Sequence, residues 1–309
     1  MSVREVSVPD ASTEVGFVAQ PLVVTPQAGR VAGARAAWRR LSKNRGAVIG
    51  LGLVVAYVGI AIFADLLAPY DPVNGDLRLR LQGPSLQHWL GSDELGRDIL
   101  SRLIHGTRIS LQIQFSAVVI TLFIGVVWGM IGGYFGGWVD DVSMRVIDVL
   151  LAFPSLLLGI AIVAILGNGF ANVILAVAIS SVPGFARLVR GLVLGLRELE
   201  YVEAARAIGE SHGSIMFRYI LPGTLAPVIV WTSLRMATVL LVASGLNFLG
   251  LGVLPPTPEW GAMLSNARDY MFTAPHVTTA PGLAISIVVL GFNLLGDGLR
   301  DAIDPRMRD

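Results

Sequence analysis

Gly209-Glu210-Ser211-His212-Gly213 has the G-x-S-x-G spacing of a hydrolase nucleophile elbow. That chemistry needs the serine at the tip of a strand–turn–helix with a base buried beside it. This segment instead lies in a short loop between apolar runs, with no strand pattern nearby, and reads as a turn. Gly91 to Gly96, followed by Arg97 and Asp98, approaches a P-loop but lacks the Lys-Ser/Thr pair that holds phosphate and magnesium. The single lysine, Lys43, follows a serine, so the chain carries no Walker A motif and any ATP would be hydrolysed elsewhere. His88, Asp93, Glu94 and Asp98 offer metal donors, but at no compact ligand spacing. Arg97 and Arg102 beside them suggest a solvated, ion-paired helix start with Ser92 as N-cap. His276 and Ser286 show no linked nucleophile–base spacing. No catalytic residue, metal site or cofactor is expected.

The elements around these residues are built for a membrane. The 309 residues are 54% hydrophobic and 15% charged, where soluble chains carry about 25% charged residues. Net charge is +1, which gives no reason to expect nucleic acid, and the absence of cysteine excludes disulfides and thiolate chemistry. The composition points to an all-α polytopic membrane helix bundle in a lipid bilayer. A span needs roughly 20 apolar residues, and six segments qualify. The first starts at Gly46, the second lies within 109–139, and the third and fourth share 149–186, divided by Gly167-Asn168-Gly169. The fifth follows Pro222 and the sixth covers about 276–296. The first 30 residues are polar and lack the apolar core of a signal peptide. The organisation expected is a tail over 1–45, a first span and external segment over 46–104, and a core domain of five spans over 105–309.

Six spans with both ends inside place sixteen basic residues inside and six outside, which makes the termini and the 187–218 loop cytoplasmic. Glycines four apart at Gly46/Gly50, Gly125/Gly129 and Gly191/Gly195 suit close helix approach. Pro154, Pro183, Pro227 and Pro281 fall in or near spans three to six, where kinks could line a cavity. Arg235 lies roughly 18 Å into the fifth span, counted from Gly223 at about 1.5 Å per residue. A charge at that depth is a functional candidate: it either faces a pathway and meets a substrate carboxylate, pairs with an acid of a partner subunit, or snorkels outward. Asp65 and Asp148 lie near span ends, so the buried acids that an ion-coupled secondary transporter would need are missing.

The stretch 203–223, EAARAIGESHGSIMFRYILPG, interrupts this apolar sequence. Glu203-Ala204-Ala205 favours a short helix with small side chains that could seat in another protein's groove. Gly209 and Gly213 permit a tight reversal, and Pro222 suits the first turn of the next helix. A short helix, a turn and a second short helix running into span five are predicted. The motif residues Glu203, Ala204, Ala205, Gly209, Leu221 and Pro222 resemble the EAA loop of ABC importer permeases, with Tyr219 where isoleucine is usual. HWLGSDELGRDILSRLIHGTRISL (88–111), PPTPEWGAML (255–264) and FNLLGDGLRDAIDP (292–305) are similar to the C-type permease subunit of the dipeptide/oligopeptide/nickel importers. The resemblance covers about 35–309, including the ending Asp297, Arg300, Asp301 and Asp304. It implies the type I ABC importer permease architecture, with loop 198–222 as the coupling helix that docks on a cytoplasmic ATPase. It also implies a homologous second permease, two ATP-binding subunits and an external substrate-binding protein, in a bacterial inner membrane. Peptides are the implied cargo; nickel chelates or another small solute are the alternative.

Overall fold

The computed structural model describes residues 38–303; most of the expected tail, and Asp304, lie outside them. Among the described residues, five helices are long and apolar enough to span a bilayer. They are α1 (Arg45–Ile62), α2 (Ile99–Phe135), α5 (Phe170–Leu196), α7 (Leu221–Phe248) and α9 (His276–Ile303). Helix α2 runs unbroken across residue 104, so the boundary expected between 104 and 105 falls inside it.

The third span departs from its expected form. It is a pair, α3 (Gly137–Leu151) and α4 (Ser155–Leu166), bent by 93°. Helix α3 carries Asp140, Asp141, Arg145 and Asp148 and suits an interface, whereas α4 has no charge at all. Its 12 residues reach about 18 Å, well short of a bilayer core of about 30 Å. Pro154 stands at the bend, where its missing N–H leaves no bond for helix continuation. The divider between α4 and α5 is where the sequence places it. Gly167 and Gly169 take positive φ, and the Asn172 side chain caps the free carbonyls of Leu166 and Gly167.

Helix α2 is the spine, contributing to three apolar clusters. Ile113, Ala117 and Val118 pack with α4, α5 and α7. Ile99 packs with α1, α7, α9 and the short helix α8 (Trp260–Ala267). Met130 and Tyr134 pack with the end of α5 and the following loop. The predicted Gly125/Gly129 approach is real: a Cβ on Gly129 would stand 2.4 Å from the Ala186 carbonyl oxygen of α5, and one on Gly125 2.7 Å from Phe185 Cβ. Gly50 abuts the α9 backbone in the same way, 2.5 Å from Leu295 N. Gly191 and Gly195 do not follow the expectation; nothing lies within 4 Å of a Cβ on either. Their face of α5 is open.

Candidate coupling loop and transport path

The segment after α5 forms the helix α6 (Glu200–Ala207), with Glu200 and Glu203 in its first turn and Arg206 in its last, matching the helix dipole. Val202 and Ala205, three apart, turn inward onto Leu196, Ile215 and Ile220 and onto Met130 and Tyr134 of α2. Glu203, Ala204, Arg206 and Ala207 face out, and Ile208 is 75% exposed. The helix ends in a Schellman turn. Gly209 adopts φ +82°, its N–H donates to the Arg206 carbonyl, and Glu210 N–H donates to the Ala205 carbonyl. Gly209 makes the reversal alone, since Gly213 sits within the next helical turn with no positive φ.

Ser211 restarts the helix as N-cap, its hydroxyl accepting the Ser214 N–H at 3.3 Å. That use of the hydroxyl, with no strand before it, removes the nucleophile-elbow reading. From His212 the chain is helical without interruption to Phe248, 37 residues. Pro222 lies in the first turn of α7, as expected, and that helix continues the helical stretch before it without a break. A π-helical stretch over Ile215–Ile220 makes this workable: Leu221 N–H reaches back to Met216. The wider turn accommodates a residue that lacks an N–H and whose ring crowds the preceding turn. The loop is also tied to α2. The Tyr134 hydroxyl and His212 Nδ1 stand 2.9 Å apart, the Arg206 guanidinium lies 5.7 Å from the Tyr134 ring centre, and Arg197 donates to the Gly133 carbonyl.

The six motif residues thus divide. Glu203 and Ala204 are exposed, and Gly209 shapes the turn; Ala205, Leu221 and Pro222 face or brace the interior. Ile208 and Phe217 are both exposed and apolar and were not singled out from the sequence. The signal available was an apolar side chain immediately before the glycine that stops the helix.

At the opposite end the acidic segment is buried, not solvated. Asp93 accepts from Arg97 Nε at 2.7 Å and lies 3.2 Å from Arg102 Nε, while its other oxygen accepts the Leu95 and Arg97 backbone N–H groups. The N-cap of α2 is Asp98, not Ser92; its carboxylate takes the Ser101 N–H and contacts His88 at 3.0 Å. These partners occupy the oxygens that a metal would use. Gly91–Gly96 is a folded turn rather than a phosphate cradle, because the Asp76 carbonyl oxygen would lie 1.8 Å from a Cβ on Gly96. Glu259, not singled out from the sequence, is fully buried. It caps α8 through the Ala262 N–H and accepts from Ser110 of α2. Burial pushes its carboxyl up to about 7.

Arg235 lies half-buried on α7, its guanidinium 4.5 Å from the centre of the Trp231 ring one turn earlier. Among the described residues it has no acidic partner: Asp140 is held by Arg190 and Asp148 by Arg187.

Comparison with known families fits this architecture. The family described as "Binding-protein-dependent transport system inner membrane component" matches residues 125–309. The N-terminal transmembrane domain of oligopeptide transport permease C matches residues 34–84. The chain belongs to the binding-protein-dependent inner-membrane permeases. A glutathione transport system permease protein of Pectobacterium atrosepticum is 51% identical over 272 residues, 88% of this chain and 90% of that protein. A dipeptide transport system permease protein of Alkalihalophilus pseudofirmus is 49% identical over 274 residues, 89% and 90% of the two chains. In fold, the permease resembles the solved inward-facing MetNI methionine ABC transporter, with a TM-score of 0.52 at 18% identity, over 66% of this chain and 97% of that one. This permease is therefore a multi-pass inner-membrane transport subunit of an ABC importer.

Proposed function

We propose that this permease imports di- and oligopeptides, enclosing the path with a homologous second permease and drawing its drive from two cytoplasmic ATPases docked on loop 198–222. An external binding protein delivers the cargo, and both termini lie in the cytoplasm. The observation that carries this reading is mechanical. The outward residues Glu203, Ala204 and Ile208 are joined through one capped turn to the 37-residue rod His212–Phe248. A push on that surface moves the rod as a unit, because α6 is packed against α2, α5 and the base of the rod. Peptide cargo is supported by the relatives named for dipeptide and glutathione transport.

The test is affinity purification from native membranes in mild detergent, assayed for ATPase, with wild type beside a Glu203→Lys, Gly209→Trp double variant. ATPase subunits that accompany the wild type and are lost from a folded variant support the reading. No ATPase with either protein sinks it.

A further inference from the structure

We propose that Arg235 and Trp231 form a carboxylate-binding subsite on the transport path, taking the C-terminal carboxylate of the peptide in transit. This rests on the peptide-importer reading above and adds the site and chemical group that the reading leaves open. The argument begins with unmet donors. A guanidinium carries five N–H donors and no acceptor, and among the described residues no acid pairs with Arg235. Trp231 Nε1 is buried and has no hydrogen-bond partner. The two lie one turn apart on α7, with the guanidinium over the indole face. Buried donors as a rule find acceptors, so the unfilled indole N–H, beside a half-buried guanidinium without an acid, marks the place of an acceptor supplied from outside this chain.

The surroundings suit a moving ligand. Gly184 of α5 stands opposite, 3.7 Å from the guanidinium if it carried a Cβ. Gly191 and Gly195 lie within about 40° of Gly184 around α5, at about 100° per residue, and both are exposed with nothing above them. The cation thus stands beside a face of α5 whose glycines are uncovered, with Leu188 and the Asp148-paired Arg187 projecting between Gly184 and Gly191. A planar carboxylate matches a guanidinium in bidentate fashion, and the indole N–H adds a third donor. A peptide's ammonium end would be repelled, so the site distinguishes the two ends of the cargo.

The experiment uses the full importer, with partner subunits and binding protein, in proteoliposomes. ATP-driven uptake of trialanine is compared with that of its C-terminal amide, each on saturating binding protein. The expected result is a wild-type preference for the free acid of roughly tenfold or more, the scale of a hydrogen bond to a charged group. Arg235→Gln lowers free-acid uptake about tenfold to a hundredfold and so removes the preference, whereas Arg235→Lys keeps part of it. Trp231→Phe preserves the ring but deletes the donor, and narrows the same ratio; it decides the matter if Arg235→Gln fails to assemble with its ATPases. An equal loss of both peptides in these variants, or a wild type that takes up acid and amide equally, overturns the proposal in favour of a structural pair with a partner acid. Absence of any ATP-driven uptake by wild type overturns the importer reading itself, and this site with it.

Discussion

Replacing Gly209 by alanine isolates the backbone strain that the coupling loop rests on. The residue sits at φ +82°, and an added Cβ meets nothing within 4 Å, so the substitution brings no clash. What remains is the left-handed conformation, which costs a residue with a Cβ about 1–2 kcal/mol. That corresponds to about a 5- to 30-fold rise in the open form of the turn. The amides that report it are Gly209 and Glu210, whose N–H groups close the turn onto Arg206 and Ala205. Hydrogen–deuterium exchange of the purified permease should therefore show protection at these amides reduced by about that factor. Gly209→Asn should fall between, since asparagine tolerates this conformation better. Gly213→Ala is the control. Its site is equally open but helical, and it should leave the turn unchanged or tighten it by about 0.5–1 kcal/mol. Equal effects at 209 and 213, or none at 209, would refute the claim that one glycine sets the loop.

Three further outcomes follow from the packing and the buried charges. Asp93→Ala leaves Arg102 without its carboxylate partner in a buried site and Arg97 with Glu94 alone, and should destabilise the fold by about 3–5 kcal/mol, seen as a large drop in unfolding temperature. Glu94→Ala, at the rim of the same cluster, should lower it far less. Burial raises the Glu259 carboxyl from 4.5 to about 7. The folded protein thus retains a proton that the unfolded chain releases across that window, and stability should decline by about 3 kcal/mol as pH rises from about 4.5 to 7. Glu259→Gln should remove that slope in thermal unfolding followed at several pH values; an unchanged slope would contradict the assignment. Gly129→Leu should prevent stable assembly, because its Cβ would collide with the α5 backbone, while Gly191→Leu, facing open space, should leave the isolated subunit's unfolding temperature nearly unchanged.

Much of this was legible in the sequence, for reasons visible residue by residue. Apolar runs near 20 residues have few folded options besides membrane helices, so most spans were placed correctly. Gly209, directly after a run of good helix formers, signalled the C-cap that is found. The 93° bend before α4 was hidden because α3 mixes apolar and charged residues, and its last turn blends into the apolar run that follows. Spacing alone also could not separate Gly125/Gly129 from Gly191/Gly195: both pairs are four apart, and only the neighbouring helix decides which one is covered. The Asp93 cluster looked solvated because charges usually are. Its acid–arginine pairs three and four residues apart gave the pairing, but not the covering by residues 263–277 on the far side of the sequence.

The most direct test of the central claim uses the chain's lack of cysteine. Single cysteines at Ile208, exposed on the coupling surface, and at Leu86, 96% exposed at the other end of the bundle, would each be treated with a short bifunctional cross-linker in native membranes. The account predicts a cross-link from Ile208→Cys to an ATP-hydrolysing subunit that blocks ATP-driven uptake, and none to that subunit from Leu86→Cys. Cross-linking of the ATPase at position 86, or its failure at 208 in a complex that still hydrolyses ATP and transports, would contradict it.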